Sequence, residues 1–167
     1  ITTNNESLVG QIQMLQNYGS SQKHIHKKIG FNMRLDALQA RFLSVKLSDY
    51  PNLLNRRLAI ASRYSEQINN PKITIPVHPQ DGSHVFHLFV VRVPDRKDFI
   101  GFLESNDVGS LIHYPIPPHK QEALESYNKL SFPITERYHN EVVSIPLYSS
   151  LTDSQVQRVI DVLNAYS

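Results

Sequence analysis

Strand-like and helix-like patterns alternate through the second half of this chain, and this alternation leaves few folds open to it. The strongest strand candidate is HVFHLFVVRV, residues 84–93, where aromatic and β-branched residues are concentrated. A Thr–x–x–Gln capping box that begins at Thr152 opens a final helix. Shorter strand patterns lie at 73–77, 110–114 and 143–145, and further helix patterns lie at 96–105 and 134–142. The alternation predicts a small α/β domain over residues 71–167.

A long helical stripe precedes that domain. Apolar residues recur at intervals of three and four from Leu35 to Val45, and the same spacing resumes from Leu54 to Ile68. Pro51 lies between the two parts, and proline removes a helix hydrogen bond and crowds the preceding turn. We therefore expect a kink or a break near residues 48–52.

The segments before the stripe predict one short helix and one loop. Asn4 and Asn5 are suited to cap a helix that ends near Gly19, and the polar, glycine-bounded stretch 19–31 predicts a loop. The first residues, Ile1–Thr3, have the pattern of a strand end.

These patterns divide the chain into three parts. Residues 1–50 are expected to be the tail of a larger domain, residues 51–70 a connecting helix, and residues 71–167 the small α/β domain. A chain that opens inside a strand pattern, without Met, predicts a fragment of something longer, and no signal peptide pattern is present.

The composition narrows the class of partner. The formal net charge is only +2 and the basic residues are dispersed, which does not favour nucleic acid. No apolar run approaches the roughly 20 residues that cross a bilayer, so no membrane partner is expected. The absence of cysteine excludes disulfides and thiolate chemistry and favours a cytoplasmic protein.

The stretch GFNMRLD, residues 30–36, is a candidate anion site. The amide of Asn32, just before a helix pattern, is suited to donate to an anion, and the Arg34 guanidinium is suited to grip a phosphate or carboxylate with two hydrogen bonds. The alternative from the local pattern is that Asn32 caps the helix and Arg34 pairs with Asp36 or solvent.

The stretch IHYPIPPHKQ, residues 112–121, is a second candidate. Three prolines stiffen it beyond a strand end, which is a common place for ligand-facing loops, while His113, Tyr114 and His119 supply polar groups. The alternative is that His113 or Tyr114 is a half-buried strand residue whose polar tip binds the backbone.

Metal binding is not favoured. His24 and His26 lie in a polar loop without acidic neighbours or cysteines, and His84 and His87 are expected on opposite faces of a strand. We expect no metal site.

Taken in order, YGSS (18–21), GFNMRLD (30–36) and HYPIPPH (113–119) resemble the second half of the DegT/DnrJ/EryC1/StrS aminotransferases. The resemblance extends over nearly the whole chain. It implies an α/β fold, the C-terminal part of a fold-type-I aminotransferase that depends on pyridoxal 5'-phosphate and aminates nucleotide-linked keto-sugars. It also implies glutamate as amino donor and a homodimer. Met33 replaces the more usual serine, and this form resembles the branch that makes 3-amino-3,6-dideoxyhexoses on dTDP.

The resemblance also implies roles for the candidate residues. Asn32 would reach across a dimer interface to the cofactor phosphate of the partner subunit, with Arg34 binding substrate at the same edge. His113, Tyr114 and His119 would hold the sugar nucleotide at the mouth of the active site.

The Schiff-base lysine of the family lies upstream of the residues matched here, so no catalytic residue is assigned and this chain alone is expected to be inactive. Two alternatives stay open. The chain is a stand-alone sugar-nucleotide-binding or dimerisation module, or it belongs to a related sugar dehydratase in which histidine replaces that lysine.

Overall fold

The computed structural model describes residues 1–79 and 81–167, which form two compact units, Ile1–Asp49 and Tyr50–Ser167. The unit boundary falls inside one long helix. The predicted assignment of residues 1–50, 51–70 and 71–167 to a domain tail, a connecting helix and a small domain stays a prediction.

The first unit begins with helix α1, Glu6–Leu15, and the predicted cap is confirmed because the Asn5 side chain accepts from the Leu8 amide at 3.3 Å. The predicted loop 19–31 instead contains a small hairpin of strands β1, Ser20–Gln22, and β2, Ile25–His26. Its strands are too short and too polar to produce an alternating apolar pattern.

Ile1–Thr3 form no strand, so that expectation is wrong. A strand needs a hydrogen-bonded neighbour, and none of the described residues pairs with this segment.

Helix α2, Ala37–Gln67, runs through Pro51 without ending, so a break near residues 48–52 is wrong, whereas a kink there stays a prediction. The fixed φ of proline is compatible with a helix, and its missing N–H removes only one backbone hydrogen bond. The turns on either side continue the 31-residue helix. In the turn ahead of the proline, the Ser48 hydroxyl donates to the Val45 carbonyl at 2.7 Å. Among the helices of the described residues, none combines the length and the apolar character that a bilayer span requires.

The second unit is built on an antiparallel pair of strands. Strand β3, Phe89–Arg92, pairs with β4, Val142–Ile145, so that Phe89 faces Ile145 and Arg92 faces Val142. The predicted strand at 143–145 is thus confirmed, whereas the one at 84–93 is shorter than predicted.

The upstream part of that predicted strand is irregular because Phe86 adopts a left-handed conformation, with φ of 46°, and is fully buried. His84 and His87 therefore do not lie on a strand, contrary to expectation. The other two predicted strands reduce to single bridges, Thr74 to Arg92 and Leu111 to Ser144.

Three further helices belong to the second unit. Helix α3, Arg96–Ser105, begins after the Asp95 cap and α4 spans Pro133–Glu141. Helix α5, Asp153–Ala165, begins with the predicted capping box at Thr152, and all three helix predictions are confirmed. Two short 3₁₀ helices, Pro118–Lys120 and Glu122–Tyr127, precede α4.

The core of the second unit is aromatic at its centre. The rings of Tyr64 on α2 and Phe89 on β3 meet edge to face with centroids 5.2 Å apart. The Tyr64 hydroxyl donates to the Pro146 carbonyl at 2.8 Å, and burial raises the pKa of Tyr64 far above its ordinary value. The largest fully buried side chains are Tyr64, Phe86, Phe89, Phe99, Ile60 and Leu103.

Candidate functional site

The loop after α1 is held by close backbone contacts. Tyr18 and Gly19 both have positive φ, 57° and 73°, which favours glycine at the second position. A side chain on Gly19 would place its Cβ 1.7 Å from the Lys28 carbonyl oxygen, so only glycine fits there. The Tyr18 amide donates to the Phe31 carbonyl at 2.9 Å, which ties the YGSS loop to the strand-like segment that contains Asn32.

Asn32 lies in this segment, with its backbone bridged to Asn17, five residues ahead of the first residue of α2. It therefore does not cap the helix. Its Oδ1 accepts from Nε of Arg34 at 3.2 Å, and Arg34 lies ahead of α2 rather than in its first turn. The alternative that Arg34 pairs with Asp36 is not what the structure has.

This contact orients the Asn32 amide. Because the oxygen receives the Arg34 N–H, the amide NH₂ is directed away from Arg34 and has no hydrogen-bond partner among the described residues. Both side chains are exposed. The pair thus offers N–H donors and one positive charge, which is a donor set suited to an oxyanion.

In the second unit, the segment Ile112–His119 follows the bridge at Leu111. The His113–Tyr114 peptide bond is cis, and the two rings meet edge to face with centroids 5.5 Å apart. Tyr114 is 65% exposed, and its hydroxyl has no hydrogen-bond partner among the described residues.

The His113 ring makes a hydrogen bond to a side chain of strand β4. Its Nδ1 lies 2.8 Å from Oγ of Ser144, which is 5% exposed. Both residues line a depression of about 460 Å³ whose other walls include Leu88, Leu111 and Tyr148. His113 is thus half-buried and bonded, yet placed at the edge of a concavity.

His119 is buried, with 8% of its surface exposed. Its Nε2 contacts Oε1 of Glu136 at 2.9 Å, and its ring meets Phe132 edge to face. The hydrogen bond from His119, followed by that from the Phe132 amide, holds the pKa of the Glu136 carboxyl below its usual range. The predicted ligand contact of His119 stays a prediction, but the geometry gives this residue an anchoring contact inside the protein.

Helix α4 supports the segment at a second point, which the sequence analysis missed. His139, three residues after Glu136, donates from Nδ1 to the Tyr114 carbonyl at 2.6 Å. Arg96 in turn donates to the His139 carbonyl. The sequence feature that points to this support is the Glu–x–x–His spacing of Glu136 and His139, which places both side chains on one helix face.

One histidine of each candidate metal pair makes a hydrogen bond to the backbone instead. His26 donates from Nδ1 to the Tyr18 carbonyl at 2.9 Å, and Nδ1 of His84 accepts from the Phe86 amide at 3.0 Å. Within the described ranges, no cluster of three or more histidine, aspartate or glutamate side chains is arranged to hold a metal ion.

The structure thus brings Asn32 and Arg34 together in the first unit. It places His113, Tyr114 and His119 on one braced segment in the second. Their predicted cofactor and substrate roles stay predictions.

Comparison with known proteins gives these residues a context. The model of the DegT/DnrJ/EryC1/StrS aminotransferase family matches residues 1–164. The dTDP-3-amino-3,6-dideoxy-alpha-D-galactopyranose transaminase of Aneurinibacillus thermoaerophilus is 46% identical over 166 residues, which are 99% of this chain and 46% of that protein. The chain spans about half the length of the curated relatives it matches.

Solved structures agree with the sequence match. DesV of Streptomyces venezuelae, in complex with a ketimine intermediate, has a TM-score of 0.87 at 33% identity and covers 98% of this chain and 45% of its own. NtdA of Bacillus subtilis, with bound cofactor PMP, has a TM-score of 0.89 at 30% identity and covers 97% of this chain and 40% of its own. The predicted α/β fold, as part of an aminotransferase fold, is confirmed.

Proposed function

We propose, because the chain belongs to the DegT/DnrJ/EryC1/StrS aminotransferase family, that the protein containing it transfers an amino group to a nucleotide-linked keto-deoxysugar. The observation that carries this proposal is the 46% identity to a dTDP-3-amino-3,6-dideoxygalactose transaminase over 99% of the chain. A second relative, from Streptomyces venezuelae, is a dTDP-3-amino-3,4,6-trideoxy-alpha-D-glucose transaminase and is 34% identical over 170 residues. Both names point to a dTDP-linked 3-keto-6-deoxyhexose as the substrate class.

The cofactor that the family implies is pyridoxal 5'-phosphate, which supplies the electron-withdrawing ring and carbonyl on which amino-group transfer depends. The chain's own contribution fits the phosphate of that group. The Asn32 amide, oriented by Arg34, donates N–H to an oxyanion, and a charged acceptor makes such a bond stronger than a neutral one. In a homodimer this donor would serve the partner subunit's cofactor.

The substrate would be held by the segment Ile112–His119. A sugar nucleotide presents phosphate oxygens and hydroxyls, and the ring nitrogen of His113 and the hydroxyl of Tyr114 are suited to bind them. The contacts from Glu136 and His139 hold the segment before the ligand arrives, which reduces the ordering cost of binding.

Glutamate as donor and a cytoplasmic location complete the proposal. The lysine that would bind the cofactor covalently is expected outside these residues, so the isolated 167-residue chain is expected to be inactive.

The test is an assay of the full-length protein with pyridoxal phosphate, glutamate and a dTDP-linked 3-keto-6-deoxyhexose. Mass spectrometry should detect the amino sugar on dTDP and 2-oxoglutarate in equal amounts, and no product with the isolated chain. A dTDP-linked 4-keto-6-deoxyhexose is the matched control. Loss of one sugar hydroxyl as water, without amination, would support the dehydratase alternative, and binding without turnover would support the binding-module alternative.

A further inference from the structure

Strand β4 contains one polar side chain that packing does not explain. Its sequence is VVSI, and Val143, Ser144 and Ile145 are all buried. A buried hydroxyl loses its hydrogen bonds to water, which costs free energy unless a protein partner replaces them. Ser144 therefore needs a partner, and alanine would fit the same space without that need.

The partner is His113. Ser144 Oγ lies 2.8 Å from His113 Nδ1, and no other partner of this hydroxyl lies among the described residues. The Ser144 backbone is fixed on both sides, since it faces Val90 across the sheet and exchanges two hydrogen bonds with Leu111, at 2.7 and 3.1 Å. The hydroxyl thus projects from a backbone position that has a neighbour on both sides.

The direction of this hydrogen bond follows from its alternatives. If Nδ1–H donated to Ser144, the serine proton would be left buried with no acceptor among the described residues. If the hydroxyl donates to Nδ1, only oxygen lone pairs are left, and unsatisfied acceptors are tolerated better than unsatisfied donors. The second arrangement leaves the His113 proton on Nε2.

We infer that Ser144 is a positioning residue that donates to Nδ1 of His113, and so holds the imidazole in one orientation as the Nε2–H tautomer. The hydrogen bond made by one ring nitrogen determines which nitrogen carries the proton. His113 then presents an Nε2–H donor at the edge of the 460 Å³ depression. That this donor serves a sugar nucleotide rests on the function proposed above.

The hydrogen bond can be tested without any ligand. Full-length protein carrying ¹⁵N-labelled histidine is examined by long-range ¹H–¹⁵N NMR at mildly alkaline pH, and the His113 signals are assigned from their loss in His113→Gln. We expect a protonated Nε2 and an unprotonated Nδ1 that accepts a hydrogen bond, and we expect the Nδ1 signal to move in Ser144→Ala. A protonated Nδ1 in the natural protein, or unchanged His113 signals in Ser144→Ala, would overturn the inference.

Ser65→Ala is the matched control. Ser65 is a half-buried serine of the second unit, and its hydroxyl donates to the Ala61 carbonyl at 2.9 Å within α2. Ser65→Ala removes a serine hydroxyl that does not contact His113, so the His113 signals should not change.

Ligand binding is tested by titration calorimetry of the full-length protein with dTDP-glucose, an unreactive probe. Ser144→Ala should bind it about twofold to tenfold more weakly, because a ring that is no longer held must be ordered on binding. In the His113→Gln background, Ser144→Ala should have no further effect, since the two residues act as one unit. Additive losses would contradict the positioning role, whereas failure of the unchanged protein to bind would contradict the substrate class and leave the NMR result to decide on Ser144.

Discussion

The two compact units differ in what holds them together. Every member of the buried apolar cluster lies between Ile60 and Tyr166, in the second unit. In the first unit, the only buried residue among those described is Gly19. Order in the second unit therefore comes from apolar packing, whereas order in the first comes from backbone hydrogen bonds around two close-packed glycines, Gly19 and Gly30.

The exposed apolar residues from Leu35 to Leu47 sharpen this contrast. They follow the helical spacing that predicts a buried face, yet they are more than half exposed in this chain. They include Leu35, Leu38, Phe42, Leu43, Val45 and Leu47. The same periodicity thus has opposite outcomes in the two halves of α2, because only the second half meets a packed neighbour within its unit.

The largest predicted effect compares one phenylalanine from each unit. Phe89→Ala should lower the free energy of unfolding of the 167-residue chain by about 3–5 kcal/mol, because it leaves a cavity beside Tyr64 and Phe86. Phe42→Ala, at a side chain that is 60% exposed, should change it by less than about 0.5 kcal/mol. Urea titration of both variants measures the difference, and equal losses would show that the first unit has a core of its own.

Helix caps and helix faces were predictable from the sequence. The Asp95 cap, the Thr152–Gln155 capping box and the periodic apolar face of α5 each depend on residues only a few positions apart, and all three are present. The strands were less predictable. Residues 110–114 and 73–77 are reduced to single bridges because a strand depends on partners far away in sequence.

The second prediction separates ligand binding from stability in the first unit. In the full-length protein, Asn32→Ala should weaken retention of pyridoxal phosphate by about ten- to a hundredfold, the equivalent of a lost hydrogen bond to a charged group of roughly 1.5–3 kcal/mol. Unfolding should be unchanged, since Asn32 is exposed and does not cap α2. Asn4→Ala, another exposed asparagine of the same unit, is the control. A loss of stability with unchanged cofactor affinity would refute the assignment.

Mixed dimers decide whether this contact crosses subunits. An Asn32→Ala chain is combined with a chain that lacks the cofactor-binding lysine. If the contact crosses the interface, one site in each mixed dimer keeps both groups and activity partly returns. If it lies within one subunit, every site is damaged and verified heterodimers stay near the activity of Asn32→Ala alone.

The candidate site was partly predictable for a similar reason. The sequence motifs alone identified five candidate residues, because functional side chains cluster along short segments. These are Asn32, Arg34, His113, Tyr114 and His119. The supports Glu136, His139 and Ser144 were missed, since they come from α4 and β4, and only the fold places them behind residues 112–119. Ser144 in particular has an ordinary strand neighbourhood in the sequence and becomes informative only as a buried hydroxyl.

The smallest predicted effect concerns the Glu136 carboxylate of α4, which accepts hydrogen bonds from both a histidine and a backbone amide. Glu136 accepts from His119 Nε2 at 2.9 Å and from the Phe132 amide at 3.0 Å, and its pKa in the folded protein is lowered mainly by the first of these bonds. A lowered carboxyl pKa means that the folded state favours the ionised form. Its contribution to stability is therefore complete above the ordinary glutamate pKa and is lost as the pH falls through the lowered value.

Glu136→Gln keeps an oxygen acceptor for both donors but cannot titrate, so it should reduce the loss of stability between about pH 7 and about pH 3. Glu125→Gln is the matched control, because the Glu125 side chain is exposed and its carboxylate makes no hydrogen bond among the described residues. Urea midpoints at the two pH values measure the global effect, and hydrogen exchange of the Phe132 amide measures the local one. The global change should be small, since Glu136 is one-third exposed and water screens its charge. If Glu136→Gln and Glu125→Gln have the same acid dependence, the carboxylate does not anchor this segment, and apolar packing alone would account for the order of the second unit.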